Sequence, residues 1–183
     1  MPTLVVIAEG KYDKSLEALI RRIRTDFRVR IIPLGGKDRV LRKGPGWIKS
    51  LRDGNHQHFL VVRDSDGAPL CEIRQPMLKQ YRDNGVAFDG VGTKLVIAVQ
   101  EFEAWLLADD RALGDYLDSN VQAIQAPESV DSPKERLQKL FDSKGRNLIE
   151  FDDYVELAKS VDIEVVARKC PSFERLRTYV SGI

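Results

Sequence analysis

Four short apolar runs, each stopped by polar or glycine-containing residues, set the rhythm of the first half of the chain. Residues 4–8 are wholly apolar and rich in Val and Ile, and they end abruptly at Glu9-Gly10. Residues 29–34 stop at Gly35-Gly36, residues 59–62 run into Arg63-Asp64-Ser65-Asp66-Gly67, and residues 95–99 lead to Gln100-Glu101-Phe102-Glu103. Such runs fit strands buried on both faces, as in a parallel sheet. Between the first two lies KYDKSLEALIRRIR, where Leu16, Leu19, Ile20 and Ile23 recur at helical spacing. The pattern predicts a second helix from near Trp47 to near Gly54, closed by the turn signal Asp53-Gly54. It predicts a third over 71–84, with Pro76 either in the first turn of a helix starting near Gln75 or at a kink. A fourth starts at or just after the last strand. Strands alternating with helices imply a parallel α/β sheet with right-handed crossovers.

Beyond about residue 108 the strands stop. Helical stretches follow at 111–118, 132–143, 151–160 and 171–181. Ser132-Pro133-Lys134-Glu135 reads as an N-cap with proline at the first helical position, and Pro171-Ser172 plays a similar part. The expected organisation is an α/β core over 1–118, with a central, mostly parallel four-stranded sheet, and a helical C-terminal extension over 119–183 packed on it. Residues 119–131 are the best linker candidate.

Composition narrows the function classes. A chain of 183 residues, 43% hydrophobic and 31% charged, has the make-up of a globular protein with a sizeable core. No apolar run approaches the roughly 18 residues that span a bilayer. The opening MPTLVVIAEG has neither a basic n-region nor a cleavage site, so a cytoplasmic location and no membrane partner are expected. Cys71 and Cys170 are expected as free thiols, outside any CxxC pair. His56 and His58 read as a solvated loop end rather than a metal pair. A net charge of +1 excludes a polycation, so any contact with nucleic acid needs a local patch. Residues 37–52 supply one: Lys37, Arg39, Arg42, Lys43, Lys49 and Arg52 against Asp38, with Trp47 among them. Its competing reading is a solvated helix face.

The candidate chemistry lies where the strands end. Glu9 follows the first strand, Asp64 and Asp66 the third, and Glu101 and Glu103 the fourth. In a parallel sheet these ends share one edge, where ligand sites form. Gathered carboxylates repel one another: two unit charges about 4 Å apart cost on the order of 4 kcal/mol at an effective dielectric near 20. Such a cluster calls for a cation or for protonated acids. Oxygen donors without His or Cys suit magnesium or manganese, whose chemistry on phosphates is phosphoryl transfer or phosphodiester hydrolysis. Several residues carry two readings. Glu101 either extends the site or caps a helix N-terminus, and Glu103 is preferred for the site. Asp13 either reaches the metal or serves the helix dipole. Lys37, after two glycines, either meets a phosphate or sits in a plain loop. Lys134 and Arg175 stand at helix starts that suit anions. Tyr12 packs or caps, and 105–107 are core.

Glu9-Gly10 with Asp13, and Asp64-Ser65-Asp66 after the third strand, resemble the TOPRIM domain shared by bacterial primases, topoisomerases and the OLD-family nucleases. The blocks AEGKYDKSLEALIRRI, FLVVRDSDG, AVQEFEAWLLAD, SPKERL and KCPSFERLR are similar to a TOPRIM-like bacterial family, domain of unknown function 4276. The resemblance implies a Rossmann-like TOPRIM fold, with Glu9, Asp64 and Asp66 as catalytic residues. It further implies a metal, Mg²⁺ or Mn²⁺ by its oxygen donors, held by Asp64 and Asp66, with Glu9 as general acid/base or ligand; the strand-end reading adds Glu103 to the ligands, with Asp13 and Glu101 as candidate further acids. Lys37, Arg39, Arg42, Lys43, Lys134 and Arg175 would face nucleic acid, DNA or RNA. Kinship also implies a partner ATPase in a phage-defence setting. The chain is short for primase or topoisomerase machinery, which leaves a nuclease or nuclease subunit, or a non-catalytic regulatory subunit of that ATPase. A haloacid-dehalogenase-like phosphatase, with Asp109-Asp110 as its later acids, is disfavoured because its DxD follows the first strand. A calcium loop is disfavoured because DSDG places its glycine too early.

Overall fold

Side chains alternate between the two faces of a strand, and that alternation decides how this molecule is layered. The computed structural model describes residues 2–10, 12–88 and 92–183. Strands β1 (Thr3–Ala8), β2 (Arg28–Pro33), β3 (His58–Asp64) and β4 (Thr93–Ala98) form one sheet in the order β2-β1-β3-β4, every pairing parallel. Leu4, Val6 and Ala8 face one side with Leu60, Val62, Val96 and Ala98. Val5 and Ile7 face the other with Phe59, Val61, Leu95 and Ile97. The two central strands are therefore apolar at successive positions, as the sequence pattern predicts.

The first face is covered by α1 (Asp13–Ile23), α4 (Glu103–Leu106), α5 (Asp110–Leu117), α6 (Pro133–Asp142), α7 (Glu150–Ser160), α8 (Ile163–Lys169) and α9 (Pro171–Ser181). The second is covered by α2 (Lys37–Asp53) and α3 (Leu70–Asp83). One apolar cluster runs from Leu4 through Trp105 to Val180, so the last helices share the core of the sheet. Residues 119–131 bury Val121 and Pro127. Both cysteines are free thiols, Cys71 exposed and Cys170 buried. Among the described residues no helix is long and apolar enough to cross a membrane.

Three expectations need correction. Helix α2 starts at Lys37, ten residues before Trp47, and runs straight through Gly44-Pro45-Gly46. Tertiary contact overrides the breakers. Gly44 and Pro45 lie on the buried face with Val40 and Ile48, and the Tyr81 hydroxyl donates to the Val40 carbonyl at 2.7 Å. Helix α3 runs Leu70–Asp83, as expected for 71–84, but Pro76 lies in its interior on the exposed side and not in the first turn of a helix starting near Gln75. Third, the serines do not cap. Ser132 is left-handed (φ 50°) with no side-chain cap, and the N–H of Lys134 instead donates to Glu101 Oε2 at 2.9 Å. Ser172 donates its backbone N–H to Glu128 Oε1 at 2.9 Å. Carboxylates remote in sequence thus seat the first turns of α6 and α9, where negative charge complements the helix dipole. The short α8 was not foreseen, and Lys11, in the first expected helix, lies outside the described residues.

Gly44 has no room for a side chain: an added Cβ would stand 1.9 Å from the Tyr81 hydroxyl oxygen. Gly44→Ala is expected to cost about 1–3 kcal/mol through overpacking, read as a lower urea midpoint at unchanged slope.

Candidate active site

Because the strands are parallel, the residues that leave them emerge on one edge. Glu9 leaves β1 and Asp64 closes the adjacent β3, and the Asp64 N–H donates to Glu9 Oε1 at 3.3 Å. The Glu9 carbonyl accepts from both Gly35 N–H (2.8 Å) and Gly36 N–H (3.0 Å), tying the first turn to the second. Gly10, at φ 105°, is the residue that permits this: an added Cβ would meet Pro33 Cβ at 3.0 Å. On the far side, the Ser65 N–H donates to Ala98 O (2.9 Å) and the Asp66 N–H to Gln100 O (2.8 Å), while Gln100 N–H donates to Ser65 Oγ (2.8 Å). Asp66 (φ 48°) and Gln100 (φ 61°) hold left-handed backbone that non-glycine residues rarely adopt. The turn carrying Asp66 is therefore stitched to the turn carrying Glu101 and Glu103.

Burial then shapes the acids. Glu9, Asp64 and Glu103 are all buried. Burial pushes the Asp64 carboxyl well above the usual carboxylate range, and the charges of Glu103 and Glu9 push it further. The Tyr12 hydroxyl opposes this, donating to Asp64 Oδ1 at 3.2 Å. Tyr12 is itself buried and stacks on Phe102 with ring centroids 4.5 Å apart. Burial also raises Glu103, against a 2.7 Å hydrogen bond from the Tyr154 hydroxyl. Asp66, by contrast, is exposed and pairs with Lys37, Nζ to Oδ2 3.2 Å.

The sequence-predicted residues divide by location. Glu9, Asp64 and Glu103 share one electrostatic neighbourhood, with Asp66 beside it. Lys37 stands next to Asp66. Lys134 lies at the same edge, its ammonium 2.6 Å from Glu150 and feeling the charges of Glu103 and Glu101. Glu101 takes the capping role, though on α6 rather than on its own helix. Asp13 opens α1, lines a cleft of about 280 Å³ with Gly10, Tyr12 and Phe151, and has one oxygen, Oδ1, buried without a hydrogen-bond partner among the described residues. Arg39, Arg42 and Lys43 lie exposed along α2, leading away from the edge. Arg175 is not brought to the acids. It lines a hollow with His58, Gly92 and Lys94 at the amino ends of β3 and β4, together with Thr178 and Tyr179 of α9, which packs against β4. Asp109 is no acid of a phosphatase site: it caps α5, accepting from Arg111 N–H and Ala112 N–H at 3.1 and 3.2 Å. Tyr154 was missed, because it sits in an amphipathic helix with no motif around it.

The donor set consists of hard carboxylate oxygens, which suits magnesium or manganese. Among the described residues no three His, Cys, Asp or Glu side chains stand together as a ready ligand cage. What the edge does present is a carboxylate, Asp64, raised by burial and then by the neighbouring charges of Glu103 and Glu9. A cation of high charge is the natural complement of such a group.

The sequence profile described as Domain of unknown function (DUF4276) matches residues 10–181, nearly the whole chain. The chain belongs to the DUF4276 family. That membership bears out the resemblance read from the sequence blocks, and the match takes in β2, β3, β4 and the C-terminal helices of this DUF4276 chain. A solved structure of the C-terminal region of the Xanthomonas campestris pv. campestris OLD protein is similar over 97% of this chain and 95% of that one, at 15% identity and a TM-score of 0.47. No curated protein matches the DUF4276 chain.

Proposed function

We propose that this chain is a divalent-metal-dependent phosphodiesterase acting on nucleic acid, working as a nuclease or as the nuclease subunit of a larger assembly. The observation that carries the reading is Asp64: a buried carboxylate at the ligand-binding edge, driven up by burial and by Glu103 and Glu9. A fold that holds three buried acids in one neighbourhood spends stability on them, which is the mark of a functional site.

Asp64, Glu9, Glu103 and Asp66 would hold Mg²⁺ or Mn²⁺. Magnesium commonly takes one or two carboxylates and fills its remaining positions with water and substrate phosphate oxygens, so a complete protein cage is not required. When bound, the ion would polarise the phosphoryl group and lower the pKa of a coordinated water. The chain's own residues do the positioning. Tyr12 orients Asp64 through its hydroxyl, and Tyr154 orients Glu103. Glu9, at the end of β1 and hydrogen-bonded to the Asp64 backbone, serves as the general acid or base. Lys37 and Lys134 flank the edge and would neutralise the phosphates on either side.

The test is cleavage by the purified chain of single- and double-stranded DNA and RNA with Mg²⁺, Mn²⁺ or chelator, beside Glu9→Gln and Asp64→Asn. Mn²⁺ titration calorimetry supplies a readout independent of turnover. Both variants should lose cleavage and weaken Mn²⁺ binding while keeping their circular dichroism. Undiminished cleavage in both would remove these acids from the mechanism.

A further inference from the structure

The middle of α2 carries cations that the fold does not use. At its ends the basic residues are engaged: Lys37 pairs with Asp66, and Arg52 donates to Thr93 Oγ1 at 2.6 Å and lies over the Phe59 ring. Between them Arg39, Arg42, Lys43 and Lys49 are exposed and have no hydrogen-bond or ion-pair partner among the described residues. On the same outer surface stands Trp47, 42% exposed, with Lys43 one turn before it. An indole offers a large, rigid π-face that stacks on other flat rings. Beside the ring, Gly46 leaves open space, since an added Cβ would touch nothing within 4 Å. A hollow of about 480 Å³ results, lined by Arg42, Lys43, Gly46, Trp47, Ser50 and Asn84.

We infer that the outer face of α2 is a track for single-stranded nucleic acid, with Trp47 as the platform on which one unpaired base stacks. The inference rests on the reading that the chain acts on nucleic acid and names the form it takes. Unpartnered cations follow a phosphate backbone without regard to sequence, and an aromatic face accepts any base. Stacking needs a base that is not in a duplex, so the single strand is the preferred ligand. The track also points at the acids. Trp47 lies about 15 Å along the helix axis from Lys37, a span of a few nucleotides of extended single strand.

The test measures binding of labelled oligothymidylate, oligouridylate and a mixed-sequence duplex to the full chain by anisotropy, in chelator so that nothing is cleaved. Trp47→Ala is expected to weaken both single strands about 5- to 100-fold and the duplex less than about twofold, with Trp47→Tyr restoring most of the loss. Arg42→Ala and Lys43→Ala should each lower the slope of affinity against salt by about one. Single-strand affinity unchanged in Trp47→Ala overturns the inference, as does a duplex that binds more tightly than either strand. The nuclease reading fails separately. Trp47-dependent binding without cleavage under any metal keeps the track and sinks hydrolysis; cleavage with Trp47-independent binding does the reverse. An α2 face that captures only acidic protein, and no oligonucleotide at low salt, overturns the track.

Discussion

Asp64→Asn is expected to act in two directions at once: metal-dependent cleavage falls, and the metal-free protein becomes harder to unfold near neutral pH. Cleavage should drop by more than about 100-fold, beyond the 10–100-fold that outer partners of a metal typically carry. The gain in stability follows from the charge of the neighbourhood. Asp64 is buried beside Glu103 and Glu9, and its folded pKa is raised by all three influences. A raised carboxylate binds its proton more tightly in the folded state than in the unfolded one. Wild-type stability without metal therefore declines as pH climbs from the ordinary carboxylate value near about 4 through the raised value, and is level above it. Glu103, also raised, adds to the same slope. The amide removes the Asp64 share of the decline while its oxygen still accepts from Tyr12. Urea midpoints taken from about pH 4 to 8 should therefore separate the two proteins increasingly with pH. Saturating Mg²⁺ should reverse the order, because a ligand that binds the folded state stabilises it by mass action. A variant less stable than wild type across the whole range without metal would make Asp64 a structural residue.

The second large effect is on the core. Trp105→Ala should cost about 3–5 kcal/mol, a fall in Tm of about 6–20 °C for a chain of this size. Trp105 is fully buried, meets Phe102 and Phe173 edge-on with centroids 5.4 and 5.3 Å away, and donates Nε1–H to Ser172 Oγ at 2.8 Å. Removing it opens a cavity and leaves the Ser172 hydroxyl without one of its partners. Trp105→Phe keeps the ring contacts and loses chiefly the hydrogen bond, so a loss nearer about 1 kcal/mol is expected. The damage should reach the site, since Phe102 is the ring on which Tyr12 stacks. Thermal melts with calorimetric enthalpies check the size. A Tm within a degree or two of wild type would mean that the surrounding helices close over the gap.

The sheet was legible because strands buried on both faces leave an unbroken apolar signature, and the acids because each follows such a run directly. Their convergence needed only strand direction. Helix α2 was half hidden: Gly44-Pro45-Gly46 reads as a break, and the reason it is not one, a hydroxyl from Tyr81 fitted against Gly44, is a contact between residues far apart. The caps failed for the same cause. Ser132, just before a proline at the first helical position, satisfies the local rule for an N-cap, yet Glu101 arrives from elsewhere to do the work, as Glu128 does at the start of α9. Arg175 carried a sound local argument, a cation near a helix start, but sequence holds no record of which neighbours its side of the helix would meet, here the amino ends of β3 and β4. Tyr154 left no trace at all, because a buried tyrosine on an amphipathic helix looks like any other core residue.

The hydrogen bond from Tyr154 to Glu103 spans 51 positions of the chain, and that spacing has a consequence for synthesis. At roughly 5–20 residues per second, Glu103 leaves the ribosome about 3–10 s before the tyrosine that steadies it. During that interval the nascent polypeptide carries its acids without their final donor and without the helices that close over Trp105. The neighbourhood of Glu103 is therefore complete only once the residues around Tyr154 have emerged, and a product stalled before them would lack the donor that steadies this acid.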